Sequence, residues 1–310
     1  MQYVLQIGLL ILGFVMLWKG ADWFVDGASS IATKLKIPQI VIGLTIVAMG
    51  TSMPEATVSI MSSIQGSADL AVGNVLGSNV LNVLIILGIS ALVLPLVVEK
   101  DVIFVDIPFV IFSTFLLIIM GLDGTISRID GCVLVVCFIT YMSYLFVKSK
   151  KEIKQLEMQE TPKTKPIWLS IIFTIIGLAC IIFGSRFTIN SATFFAKKFG
   201  VSDRIIALTI VALGTSLPEL FTSVIASKKN NPDIAIGNIV GSNVFNLLFV
   251  LSLSALARPL NYSSAFTIDA IFAVFSVIAL FIFILPNKKL NRLAGFIFLL
   301  AYAGYFFLIF

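Results

Sequence analysis

Two stretches of this chain carry ionisable and hydroxyl groups where the surrounding sequence is apolar enough to cross a bilayer. Gly50-Thr51-Ser52-Met53-Pro54-Glu55 and Gly214-Thr215-Ser216-Leu217-Pro218-Glu219 each hold a carboxylate, two hydroxyls, a glycine and a proline. A second motif is also doubled, as Gly73-Asn-Val-Leu-Gly-Ser-Asn-Val-Leu-Asn-Val83 and Gly237-Asn-Ile-Val-Gly-Ser-Asn-Val-Phe-Asn-Leu247. Glu55 and Glu219 are 164 residues apart, as are Ser78 and Ser242, and in each half the glutamate precedes that serine by 23 residues. Two motifs kept in one register make coincidence a poor explanation.

A carboxylate near the bilayer midplane costs about 2.5 kcal/mol or more, so it marks a functional site by default. Two at pseudo-symmetric positions repel one another unless a cation sits between them. A divalent hard cation neutralises both, and oxygen is its preferred ligand. Pro54 and Pro218 have no N–H for the carbonyls of Gly50 and Gly214, and ring crowding opens the helix there. Backbone oxygens nearby, those of Ala48, Thr51, Ala212 and Thr215, can then turn to a metal, because unwound backbone at membrane depth must line a cavity. Neutral side-chain oxygens come from Thr51, Ser52, Thr215, Ser216, Ser78, Asn82, Ser242 and Asn246. Ser78 and Asn82 share a helix face, as do Ser242 and Asn246. The Gly73-x-x-x-Gly77 and Gly237-x-x-x-Gly241 spacings allow helices to approach closely.

The elements that must position these residues follow from composition. A hydrophobic fraction of 59%, with 12% charged residues, fits a polytopic membrane protein and not a soluble domain. Apolar runs long enough to cross the hydrocarbon core lie near residues 3–31, 38–63, 69–94, 102–121, 127–147, 167–196, 204–226, 233–257, 264–285 and 292–310. The expected fold is therefore all-α and integral to the membrane. The first run lacks a basic leading region and a small-x-small cleavage site, so it reads as a mature helix. With the N-terminus outside, fourteen of the 21 Lys and Arg fall on the cytoplasmic side and five outside, the remaining two, Lys19 and Arg186, lying within spans. The positive-inside rule favours that orientation, which puts both termini outside.

Residues 148–166, rich in lysine and glutamate, read as a cytoplasmic linker between a first five-helix repeat (1–147) and a second (167–310). An odd number of spans per half makes the second enter from the opposite side, so the sequence repeat implies two inverted-topology repeats. The net charge of +5 reports this topology and requires no nucleic acid partner. Ten spans suffice for a complete inverted-repeat transporter, so a monomer in the lipid bilayer is expected.

Several features have plainer readings. Ser52-x-x-Glu55 also has the form of a capping box that restarts a helix. Lys19, Asp22 and Asp26 read as a self-neutralising interfacial cluster, Asp106 and Asp269 as interfacial charges, and Trp18, Trp23 and Trp168 as interface anchors. Cys132, Cys137 and Cys180 lack metal-ligand spacing and read as packing residues. Histidine is absent, which excludes intramembrane Ser-His and His-Glu-x-x-His proteases. No enzyme and no cofactor is expected.

The doubled motifs resemble those of the cation/calcium exchanger superfamily, most closely its short prokaryotic sodium/calcium exchanger branch, over the whole chain. The resemblance implies antiport of Na⁺ against Ca²⁺ in a prokaryotic plasma membrane, with Glu55 and Glu219 as central calcium ligands. It assigns backbone oxygens near Ala48, Thr51, Ala212 and Thr215 to the same ion, and Ser52, Ser78, Ser216 and Ser242 to sodium. Some relatives, including potassium-dependent ones, carry aspartate at the position of Asn246. Asparagine at both 82 and 246 implies potassium independence and two core carboxylates instead of three. The resemblance further implies alternating access, with the first and sixth segments sliding across the remaining bundle. The rival readings are a calcium/proton antiporter, against which the serine-rich site argues, and a channel.

Overall fold

The structure, a computed structural model, describes residues 2–156, 166–201, 210 and 212–309. Backbone N–H and C=O groups have no water to bond inside a bilayer, so apolar segments of this length resolve into helices. In chain order these are α1 (Gln2–Leu35), α2 (Gln39–Thr51), α3 (Met53–Ile64), α4 (Asp69–Val93), α5 (Val102–Asp123), α6 (Arg128–Leu156) and α7 (Ile167–Lys198). There follow α8 (Ala212–Thr215), α9 (Leu217–Lys228), α10 (Pro232–Ala257), α11 (Ser264–Ile284) and α12 (Arg292–Ile309).

Among the described residues seven helices are long and apolar enough to span a membrane, namely α1, α4, α5, α6, α7, α10 and α11. The pair α2–α3, bent by 49° across Ser52, makes an eighth. The apolar part of α12 is shorter, and the first part of the expected segment 204–226 lies outside the described residues. So does much of the expected linker; its beginning continues α6 as helix to Leu156.

Burial sorts the helices. The apolar windows of α4 and α10 are 78% and 83% buried, whereas those of α1 and α7 are only 22% and 28% buried. The doubled Gly-Asn-x-x-Gly-Ser-Asn motifs thus lie on the innermost helices. The long outer helices α1 and α7 run antiparallel along a seam of small residues. A Cβ built on Gly20 would lie 2.9 Å from the Gly177 carbonyl oxygen, and one on Gly184 would lie 2.8 Å from that of Gly13. Only glycine lets the two backbones come this close, which is how helices associate where lipid is as apolar as leucine.

Two short antiparallel ribbons tie the ends of the bundle. Leu96–Val97 (β1) pairs with Lys289–Leu290 (β4), and Thr125–Ile126 (β2) with Leu260–Asn261 (β3). Each joins a strand from before the linker to one from after it, and the 164-residue offset carries one pair onto the other: Leu96↔Leu290 becomes Leu260↔Ile126.

Two of the charge readings change. Lys229, from the turn after α9, pairs with Asp22 at 2.7 Å and Asp26 at 2.6 Å. The two aspartates of α1 are therefore neutralised across the bundle, not by Lys19 alone. Asp106, read as an interfacial charge, is fully buried within the protein, and Tyr141 Oη donates to its Oδ1 at 2.9 Å. The matching bond, Tyr305 Oη to Asp269 Oδ1 at 3.0 Å, is partly buried. Tyr141→Phe leaves a buried carboxylate without the hydroxyl that donates to it, an expected loss of about 1–3 kcal/mol. Tyr305→Phe should cost less; melting of both variants in detergent checks the order.

Candidate cation site

The break between α2 and α3 falls at Ser52, whose backbone leaves the helical region (φ −81°, ψ 8°), and the break between α8 and α9 falls at Ser216 (φ −89°, ψ 4°). Pro54 and Pro218 take the second position of the restarted helices, where a missing N–H is harmless. The first turns of α3 and α9 therefore hold Glu55 and Glu219, both essentially without solvent exposure.

The two breaks reach across to each other. Ser52 Oγ donates to Glu219 Oε1 at 2.7 Å, and Ser216 Oγ donates to Glu55 Oε1 at 3.1 Å. Neither serine makes a side-chain cap to its own helix. The capping-box reading of Ser52-x-x-Glu55 therefore does not describe the geometry; the serine serves the other half's glutamate. One oxygen of each carboxylate is thereby fixed. The other, Oε2 in both cases, is buried with no hydrogen-bond partner.

Other buried oxygens of the doubled motifs also lack a partner. Ser78 Oγ, Asn82 Oδ1 and Asn246 Oδ1 are buried and unpartnered. Asn82 begins a widened π turn of α4 (Asn82–Ile86), and Asn246 lies in the matching turn of α10 (Phe245–Val250). Such widenings interrupt the regular helical ladder and often mark functional sites. Buried polar atoms are normally satisfied, so these five orphaned oxygens, drawn from both halves, are candidate cation ligands. Oxygen atoms alone, two of them carboxylate, suit a hard cation. Among the described residues no three His, Cys, Asp or Glu side chains gather. The anionic charge at this place is therefore that of two glutamates.

Other expected ligands are more heavily engaged. The Ala48 carbonyl accepts from Ser52 N at 3.0 Å and lies 3.2 Å from Thr51 Oγ1 and 3.4 Å from Ser242 Oγ. Thr51 Oγ1 also lies 3.1 Å from the Val47 carbonyl and 3.0 Å from Asn238 Oδ1, more acceptors than one proton can serve. Thr215 is buried at the end of α8, the short helix that Ala212 begins. The carbonyl freed by Pro218, that of Gly214, accepts from Ser185 Oγ of α7 at 2.7 Å.

Four supporting asparagines and one serine escaped the sequence reading. Asn238 Nδ2 lies 2.9 Å from Ser223 Oγ and 3.3 Å from the Glu219 carbonyl, and Asn74 makes the same pair of contacts with Ser59 Oγ and the Glu55 carbonyl at 2.9 and 3.4 Å. Asn79 and Asn243 bond each other's carbonyls at 3.3 Å. All four stand in the doubled motif, so their repetition was a usable signal. Ser185 was not findable that way, because the residue 164 positions earlier is Ala21.

Comparison with known proteins gives the family. The family model described as sodium/calcium exchanger protein matches the chain twice, over residues 5–147 and 169–310. CaxA of Alkalimonas amylolytica is 39% identical over 310 residues, 97% of each chain. Sodium/calcium exchanger MaX1 of Methanosarcina acetivorans is 32% identical over 342 aligned positions, again 97% of each. Among solved structures, the sodium-calcium exchanger NCX_Mj soaked with 2.5 mM Na⁺ and 1 mM Sr²⁺ superposes with a TM-score of 0.85 at 31% identity, covering 98% of each chain.

Proposed function

Since the chain belongs to the sodium/calcium exchanger protein family, a family of multi-pass membrane transporters and not of catalysts, we propose that it exchanges Na⁺ for Ca²⁺ by alternating access, with the calcium ion held between Glu55 and Glu219. The observation that carries the reading is the pair of cross-bonded glutamates, each fixed by the other half's serine and each keeping one unpartnered oxygen. Ca²⁺ neutralises both carboxylates, with Thr51, Thr215 and the backbone oxygens of Ala48 and Ala212 completing its surroundings. Sodium takes the neutral oxygens of Ser52, Ser78, Ser216 and Ser242, beside Asn82 and Asn246. The two ion sets share the glutamates, so they compete. An empty site would carry two uncompensated charges through the bilayer interior, and that cost makes exchange obligatory.

The fold proposed for this cycle has ten spans in two inverted five-helix repeats, 1–147 and 167–310, joined by a cytoplasmic segment 148–166, with both termini outside. The two strand ribbons support this count. Six spans separate β1 from β4 and four separate β2 from β3 in the proposed order, so each pair meets on one face. The ion pair from Lys229 joins a loop that the same order makes cytoplasmic to Asp22 and Asp26 in the later half of the first span, which runs toward that side. The close glycine seam between α1 and α7 supports their moving as one sliding pair. Nothing in this reading requires a second copy of the chain.

Calcium uptake into proteoliposomes tests the function. An outward sodium gradient is expected to drive uptake, and a pH gradient without sodium is not. Uptake on the pH gradient alone, or unitary current steps in a planar bilayer, would replace the exchanger with a proton antiporter or a channel.

A further inference from the structure

Asn82 and Asn246 each carry one atom that attracts a cation and one that repels it. A side-chain amide turned by half a rotation presents N–H₂ where its oxygen should be, and in a closed, dry site that costs both a ligand and a favourable dipole. The chain solves this from the opposite half in each case. Asn82 Nδ2 donates to Asn243 Oδ1 at 3.0 Å, and Asn246 Nδ2 donates to Asn79 Oδ1 at 3.3 Å. Both acceptors are themselves held, because Asn79 Nδ2 donates to the Asn243 carbonyl and Asn243 Nδ2 to the Asn79 carbonyl, each at 3.3 Å. All four side chains are at least 98% buried. With their nitrogens spent in this way, Asn82 Oδ1 and Asn246 Oδ1 remain buried without a partner.

We propose that Asn79 and Asn243 are positioning residues that lock the amides of Asn246 and Asn82 with oxygen, not nitrogen, toward the transported cation. The proposal rests on the site described above, in which Asn82 and Asn246 are ligands. It explains why two neutral amides can stand in a cation path: their orientation is imposed by the other repeat and need not be selected by the ion. Asn79 and Asn243 touch no ion in this reading; they act through their neighbours. Cation affinity and the joining of the two halves are then served by one set of four hydrogen bonds.

The test uses the difference between an amide and a carboxylate. An aspartate at 246 presents oxygen whichever way it turns, so it needs no orienting partner. Apparent KM for Ca²⁺ and for Na⁺, with maximal rate and melting temperature, are compared for wild type, Asn79→Ala, Asn246→Asp, Asn246→Ala and the double variant Asn79→Ala with Asn246→Asp. Loss of the orienting partner is expected to weaken apparent affinity about tenfold in the Asn246 background, as removal of an outer-shell partner does at metal sites. In the Asn246→Asp background the same change is expected to weaken it no further. Equal weakening in both backgrounds, or none in the wild-type background, overturns the positioning role while leaving the site intact. An unaltered affinity in Asn246→Ala overturns instead the ligand assignment on which the proposal rests. Where Asn79→Ala does not yield folded protein, the mirrored set built on Asn243→Ala and Asn82→Asp reads the same coupling.

Discussion

Glu55→Gln and Glu219→Gln are each expected to lower sodium-driven calcium uptake at least ~100-fold while leaving a folded protein. The size follows from what is lost. Removing one partner of a buried charge pair costs about 3–5 kcal/mol, and here the partner that goes unmatched is a divalent ion held between two carboxylates. Glutamine is the informative replacement. Its Oε1 still accepts from Ser52 or Ser216, so the bond that joins the two breaks survives. A second readout separates a lost ligand from a lost fold. Saturating calcium stabilises a binding protein by about 2.7 kcal/mol at one hundred times its dissociation constant. The wild-type melting temperature is expected to rise with calcium and those of both variants to stay flat. Full uptake in either variant would remove that glutamate from the site.

The second large effect lies on the seam between α1 and α7. Gly177→Leu is expected to separate α1 from α7, with a melting temperature well below wild type and no transport. A Cβ at 177 would stand 2.5 Å from the Phe24 nitrogen and 2.7 Å from the Gly20 carbonyl oxygen. Those are backbone atoms, which cannot turn aside as a side chain does. Overpacking a closed seam costs about 1–3 kcal/mol even where neighbours can adjust, and the rest of a leucine would have to follow. Gly8→Ala, on the same long helix pair but with nothing within 4 Å of the built Cβ, is the control and should melt and transport as wild type. Normal transport by Gly177→Leu would mean that α1 and α7 need not pack as described for the cycle to run.

Much of this was legible in the sequence because membrane burial leaves few choices. The doubled Thr-Ser-x-Pro-Glu stretch announced two helix breaks, and the breaks stand at Ser52 and Ser216, where proline had to put them. What was not legible depended on which side chain answers which. The hydroxyl of Ser52 looked equally suited to capping its own helix, and only the approach of the other half directs it to Glu219. Asp106 lies near a segment start and reads as interfacial; its hydrogen bond comes from Tyr141, thirty-five residues on in a different helix. Asn79 and Asn243 were in plain view, but their use lies in a pairing between halves that spacing along one helix does not display. The carbonyl of Gly214 looked available for an ion until Ser185 of α7 was found bonding it.

The two ribbons also bear on how such a chain is made. Leu96 finds its strand partner only in Leu290, and Ile126 only in Leu260. During synthesis the early strands must wait, one on each face, until the ribosome has delivered almost everything that follows. The early helices can enter the membrane as they emerge, but neither clasp can close until its second strand has been made, β3 before β4. A chain cut short before residue 289 would keep most of its helices and lack one of its two fasteners.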